Sequence, residues 1–182
     1  MKTLDLYACE SYKHVSYEGL SAANAQACMH FRGRLVEKVF TPCLRPAIET
    51  MTAMMVNNAS FAKAEHYSGI EGLGHESVVP LLYNDEFCDL IDGGVAVMDA
   101  LKMSHDPDVQ HVFREEAMLA VEHMFARLQE GERGAGVFLG HFIIMAAYAS
   151  GLRDIHSLEP LEAISFEFHD DDNIVAKRKL IC

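Results

Sequence analysis

The chain has 182 residues, 50% of them hydrophobic and 23% charged, which suits one globular domain with a full core and excludes wholesale disorder. Fifteen Lys and Arg against 27 Asp and Glu give a formal net charge of -12, a field that repels nucleic-acid phosphates and anionic lipid. No basic stripe overrides that field: the densest basic stretch, Lys177 to Lys179, follows the acidic run Asp170 to Asp172 and reads as surface or hairpin charge. Neither nucleic acid nor membrane is therefore expected as a partner. The five cysteines are odd in number, widely spaced and free of C-x-x-C pairing, which argues against a disulfide framework or a thiol zinc site. With no secretory leader pattern and no long apolar run, the expected location is the cytoplasm.

Thr3 to Ala8 alternate and predict a first strand, followed by the polar segment Glu10 to Glu18. Ser21 is placed to cap a helix from Ala22 to about Phe31, before Gly33. Val36 to Phe40 predict a second strand, broken by Thr41-Pro42. Leu44 to Met55 resume helical spacing, with Ala47, Ile48, Met51, Met54 and Met55 on one side. Asn57 to Gly74 carry no clear period, and Val78 to Tyr83 suggest a short strand. Asp106 as N-cap and Pro107 at the first position open a helix whose apolar stripe continues to Leu128, interrupted by Glu116 alone. Ala135 to Leu139 predict a central strand buried on both faces, with His141 just beyond it. Phe142 to Ser150 read as a helix closed by Gly151, and Ala163 to Phe168 as the last strand. This strand–helix–strand–helix order predicts an α/β domain with a mainly parallel sheet.

Ligands in such a sheet lie beyond the carboxyl ends of the strands, where helix N-termini point free N–H groups at an anion. The residues to weigh are Cys9 and Glu10 after the first strand, Thr41 to Arg45 after the second, and His141 after the central one. Cys9 reads either as a thiolate nucleophile or, more simply, as a small buried thiol. A thiol phosphatase loop needs an arginine six positions on, and that position is Val15. Arg45 sits in the first turn of a helix, where the dipole disfavours a cation, so anion binding is favoured over plain surface charge. His141 is either a satisfied core histidine or a pocket residue. Ten histidines show no paired metal-binding motif: His111 and His123 lie twelve apart, and only His66, His75 and Glu76 form a conceivable chelating group. Neither a metal nor a cofactor is expected.

Four segments together resemble the histidine phosphatase superfamily, the phosphoglycerate-mutase-like fold. They are Ala8-Cys9-Glu10, Leu20-Ser21 through Gln26-Ala27, Thr41-Pro42-Cys43-Leu44-Arg45-Pro46-Ala47-Ile48-Glu49-Thr50, and Val137-Phe138-Leu139-Gly140-His141. The third is similar to the family's S-P-x-x-R-A-x-x-T stretch and the fourth to its S-H after a hydrophobic strand. The length is close to that of small members resembling phosphohistidine phosphatases. The resemblance implies a three-layer α/β/α sandwich over residues 1–182, with an irregular segment at about 57–105 helping to shape the pocket entrance. It places Arg45 as the phosphate-clamping arginine, Thr41 and Glu10 beside the ligand, and His141 as the second histidine of the pocket. Asp85 or Glu86 then stands where the family carries its general acid, or merely caps a helix.

The departure lies at the end of the first strand. The family's R-H-G, which supplies a guanidinium and the nucleophilic histidine, reads Ala8, Cys9 and Glu10 here. Losing the arginine removes a fixed cation with bidentate donors, and Glu10 adds bulk and negative charge beside a dianion. The leading expectation is a degenerate active site that binds a phosphorylated small molecule, a phosphoprotein, another anionic ligand or a protein partner with little or no turnover. The alternative is an active phosphomonoesterase with Cys9 or His141 as nucleophile and Asp85 or Glu86 protonating the leaving group. A third is an interaction domain with no small ligand.

Overall fold

The computed structural model describes residues 1–9, 19–31, 33–70, 84–95, 97–111, 116–169 and 173–179. A six-stranded sheet collects β1 (Lys2–Cys9), β2 (Lys38–Thr41), β3 (Glu65–Ser68), β4 (Arg133–Leu139), β5 (Ala163–Phe168) and β6 (Ile174–Lys179) in the order β3-β2-β4-β1-β5-β6. The first four strands in that order run parallel; β5 and β6 add antiparallel at the β1 edge. The helices are α1 (Ala22–His30), α2 (Arg45–Asn57), α3 (Ala59–Lys63), α4 (Asp85–Asp92), α5 (Val97–Met103), α6 (Pro107–His111), α7 (Ala117–Arg127) and α8 (Gly140–Ala149).

Alternation along β1 sorts these helices into two layers. Tyr7 meets Phe31, at the end of α1, edge-on at 5.0 Å, and Phe61 of α3 at 6.3 Å. Leu4 and Leu6 face the other way, toward Leu128 at the end of α7. Helices α1, α2 and α3 therefore cover one face, and α7 and α8 the other, with α5 packed on α8. The glycines of β4 follow from this second face. A Cβ on Gly136 would lie 2.6 Å from Phe138 Cε2 and 2.9 Å from Leu6 Cδ2, so only glycine lets these large side chains fill the space over the central strand. At the amino edge of the sheet the nearly buried Lys38 ammonium donates to the Arg127 carbonyl and lies 3.2 Å from Glu132.

Several sequence expectations need correction. The Asn57–Gly74 stretch is regular as far as it is described: α2 continues to Asn57, and α3 and β3 follow. Helices α4 and α5 likewise make the 57–105 segment less irregular than expected. The suggested strand Val78–Tyr83 lies outside the described residues. The second strand is Lys38–Thr41, two residues later than expected at its start. Ile48 is 45% exposed, because Ala47, Thr50, Met51 and Met54 set the inward stripe of α2. The helix expected from Pro107 is seen as α6 and α7, with residues 112–115 between them outside the described residues. Phe168 does not end the sheet, since β6 pairs with β5 and buries Ile174 and Ala176. No helix among the described residues is long and apolar enough to cross a membrane.

Candidate functional site

The carboxyl ends of β2, β4 and β1 stand side by side. Cys9 pairs with Leu139, and on the other flank of β4 Phe40 pairs with Gly136. The helix that follows β1 lies on one face and the helix that follows β4 on the other, which opens a crevice between these adjacent strands. Cys9, His141 and the start of α2 with Arg45 thus share one edge of the sheet.

Ala8 and Cys9 are both buried, Ala8 completely and Cys9 to 3% exposure. Alternation puts Cys9 on the Tyr7 face and Ala8 on the α8 face. The Ala8 methyl would be 3.7 Å from a Cβ on Gly140, and the Leu158 carbonyl oxygen only 3.4 Å from it, so Gly140 lets the turn from β4 into α8 close against the end of β1. That end is held further by the Leu161 N–H, which donates to the Ala8 carbonyl at 2.7 Å from a residue with φ 68. Such a conformation is uncommon for leucine and persists where surrounding bonds fix it.

His141 lies two residues beyond the end of β4, as expected, and is the second residue of α8, in its first turn. Its ring is tilted at 5.1 Å against Phe142. Desolvation lowers its pKa to about 4, so the imidazole is neutral near pH 7. A neutral ring can donate or accept a hydrogen bond or take up a proton, but it supplies no fixed positive charge.

Arg45 opens α2 and is 65% exposed, and its Nε donates to Glu49 Oε1 at 2.7 Å. The second oxygen, Glu49 Oε2, accepts the Leu20 amide at 3.1 Å. Gly19 takes φ +114, and a Cβ there would lie 3.8 Å from Glu49 Oε2 and 3.9 Å from Arg45 Nη2. The backbone leading into α1, capped by Ser21 through the Asn24 amide, is therefore packed on the Arg45–Glu49 pair. Glu49 was not among the site residues expected from the sequence, although its i, i+4 spacing from Arg45 is a legible ion-pair signal.

Thr41 ends β2 half-buried, and its carbonyl accepts the Gly69 amide at 2.9 Å. Asp85 and Glu86 occupy the first turn of α4, whose cap is Asn84 rather than either carboxylate. Glu86 Oε2 accepts from Ser104 Oγ at 3.0 Å and from the His105 amide at 3.2 Å, tying α4 to the end of α5. Glu10, Val15, His75 and Glu76 lie outside the described residues. His66 Nε2 is 3.2 Å from the Phe61 carbonyl, and no group of three metal-binding side chains occurs among the described residues.

No protein-family model matches the chain, and no curated protein matches it by sequence. Solved structures match it over nearly its whole length, and they show the fold, which is phosphoglycerate-mutase-like, as in the solved histidine phosphatases. YhfR of Bacillus stearothermophilus is 14% identical with a TM-score of 0.68, over 98% of this chain and 96% of its own. A histidine-to-alanine variant of Entamoeba histolytica phosphoserine phosphatase, in complex with phosphoserine, is 13% identical with a TM-score of 0.60, over 97% and 95%. Phosphoglycerate mutase of Bacillus anthracis is 12% identical with a TM-score of 0.60, over 98% and 93%.

Proposed function

We propose that this protein binds a phosphorylated or otherwise anionic ligand, on a small molecule or a protein, at the carboxyl edge of its sheet and turns it over little or not at all. The observation that carries the reading is the end of β1, where a buried methyl and a buried thiol, Ala8 and Cys9, stand in place of the arginine and nucleophilic histidine of the resembled family. Without a guanidinium at position 8, and with His141 uncharged, phosphoryl transfer lacks much of the positive charge that stabilises its transition state.

Features favourable to anion binding remain. Arg45 is a charged donor at the start of the 13-residue α2. Both α2 and α8 have leucine at the N-cap, Leu44 and Leu139, so the cap residue itself offers their first amides no side-chain acceptor. The fold also accommodates a phospho-ligand in the absence of a histidine, as the alanine variant of the phosphoserine phosphatase does.

Calorimetric titration with inorganic phosphate, on the unaltered protein and on Arg45→Ala, tests the reading alongside a p-nitrophenyl phosphate assay. Binding that weakens at least about tenfold in the variant, a loss of about 1.4 kcal/mol, together with hydrolysis at the background rate, is expected. Hydrolysis abolished by Arg45→Ala would instead establish the phosphomonoesterase alternative, and a label trapped on Cys9 or His141 would name its nucleophile.

A further inference from the structure

We infer that the outer corner of the α1–α3 layer, at the amino end of the sheet and remote from the candidate anion site, is a docking surface for an acidic segment of another protein that carries large apolar side chains. Leu35, Val56 and Met29 are the three most exposed large apolar side chains among the described residues, at 79, 77 and 56%. They come from three pieces of chain: the connection into β2, the end of α2 and the end of α1. Both helices follow parallel strands and descend from the carboxyl edge, so their ends arrive where β2 begins. Apolar residues exposed singly need no explanation, but these three are gathered at one corner.

Local contacts do the gathering. The Phe31 ring, two residues after Met29, meets Phe61 of α3 edge-on at 5.4 Å. Gly33 fits beside them, since a Cβ there would lie 2.5 Å from Phe61 Cε2 and 2.9 Å from Asn58 Nδ2. On either side of Leu35, the Arg34 carbonyl accepts from Ser60 Oγ at 3.4 Å and the Val36 amide donates to that oxygen at 2.9 Å. Asn58, two residues after Val56, caps α3 through the Ser60 amide.

Charge then selects the partner. Residues 19–36 and 50–64, which build this layer, contain no Asp or Glu, where the chain's average would put about five. Arg34 and Lys63 are exposed, and neither is ion-paired among the described residues. The adjacent carboxylates are engaged along the sheet: Glu37 Oε2 accepts the Arg133 amide at 2.8 Å, and Glu65 Oε1 accepts the Tyr67 hydroxyl at 2.7 Å. Asp5 is buried beneath the layer. The chain as a whole, at -12, attracts basic partners; this apolar corner flanked by two cations favours an acidic one. A symmetric dimer through it would bring the cations of two copies together, which disfavours a second copy as the occupant.

The local and global charges predict opposite partners, so an unbiased selection separates them. A display library of peptides about five helical turns long, apolar at helical spacing and otherwise drawn from Asp, Glu, Lys, Arg and Ser, is selected against the unaltered protein. Enriched peptides are titrated by fluorescence anisotropy. The inference predicts an excess of Asp and Glu in them and binding that weakens as salt rises. It predicts a loss of at least about tenfold with Arg34→Glu plus Lys63→Glu, and again with Leu35→Ser plus Val56→Ser, circular dichroism confirming that these exposed changes leave the fold intact. Enrichment of basic peptides, no enrichment, or binding indifferent to both pairs would overturn it. Flotation with phosphatidylserine vesicles that is lost with Arg34→Glu plus Lys63→Glu would assign the corner to a bilayer instead. A dimer in sedimentation that Leu35→Ser abolishes would assign it to a second copy, and either result overturns the inference while leaving the anion-site reading untouched.

Discussion

Acidification should destabilise this protein through His141 in a narrow window. The folded ring's pKa is lowered from 6.5 to about 4 by desolvation, so as pH falls the unfolded chain takes up the proton first. Stability therefore carries no His141 contribution to its pH dependence above about 6.5. It drops between about 6.5 and 4, and levels below 4 once both states are protonated. The full difference corresponds to about 3 kcal/mol, an upper bound because the residue as a whole is only partly buried. Urea unfolding of the unaltered protein and of His141→Gln, at pH 7.5 and pH 4.5, isolates this contribution, since the other titrating groups cancel in the difference. The unaltered protein should lose up to about 2.5 kcal/mol more than the variant between the two pH values. An imidazole that titrates near 6.5 by NMR, or a difference that does not change with pH, would refute the desolvation argument.

Other changes test the fold around the site. Gly136→Ala puts a methyl 2.6 Å from Phe138 Cε2 and 3.2 Å from the Phe40 carbonyl oxygen and should cost about 1 to 3 kcal/mol in denaturant unfolding. Ser21→Ala removes the cap on the Asn24 amide and should cost about 1 kcal/mol, read as a lower melting temperature. Glu86→Ala removes the acceptor for Ser104 Oγ and the His105 amide and should destabilise by about 1 to 3 kcal/mol, whereas Asp85→Ala should stay within about 1 kcal/mol.

The interior of the sheet was legible in the sequence because burial leaves a pattern there. β4 reads as a continuous apolar run between glycines, and β1 and β5 alternate where they meet a helical layer. The two edges were not legible. β3 is four residues, Glu65 to Ser68, with Glu65, His66 and Ser68 exposed, and its pairing with β2 rests on backbone bonds that leave no apolar signature. β6 hides its alternation, Ile174 and Ala176 inward, beneath Lys177 and Arg178, whose charges are met by Glu167 and Glu162 of the neighbouring strand and its approach.

The candidate site divides along the same line. That Cys9, Arg45 and His141 follow parallel strands was readable from chain order, and topology then sets those strand ends together. The roles of the carboxylates depended on contacts between distant segments. Glu86 reaches residues eighteen and nineteen positions away, and Glu49 holds an amide twenty-nine positions back, so no local spacing announced either bond.

The most direct measurement of the central claim is phosphomonoester turnover by the purified protein beside the triple variant Ala8→Arg, Cys9→His and Glu10→Gly, each verified as folded. The account predicts background hydrolysis by the unaltered chain and measurable turnover by the variant, the scaffold being competent and the end of β1 the missing part. Equal and substantial turnover by both would contradict it.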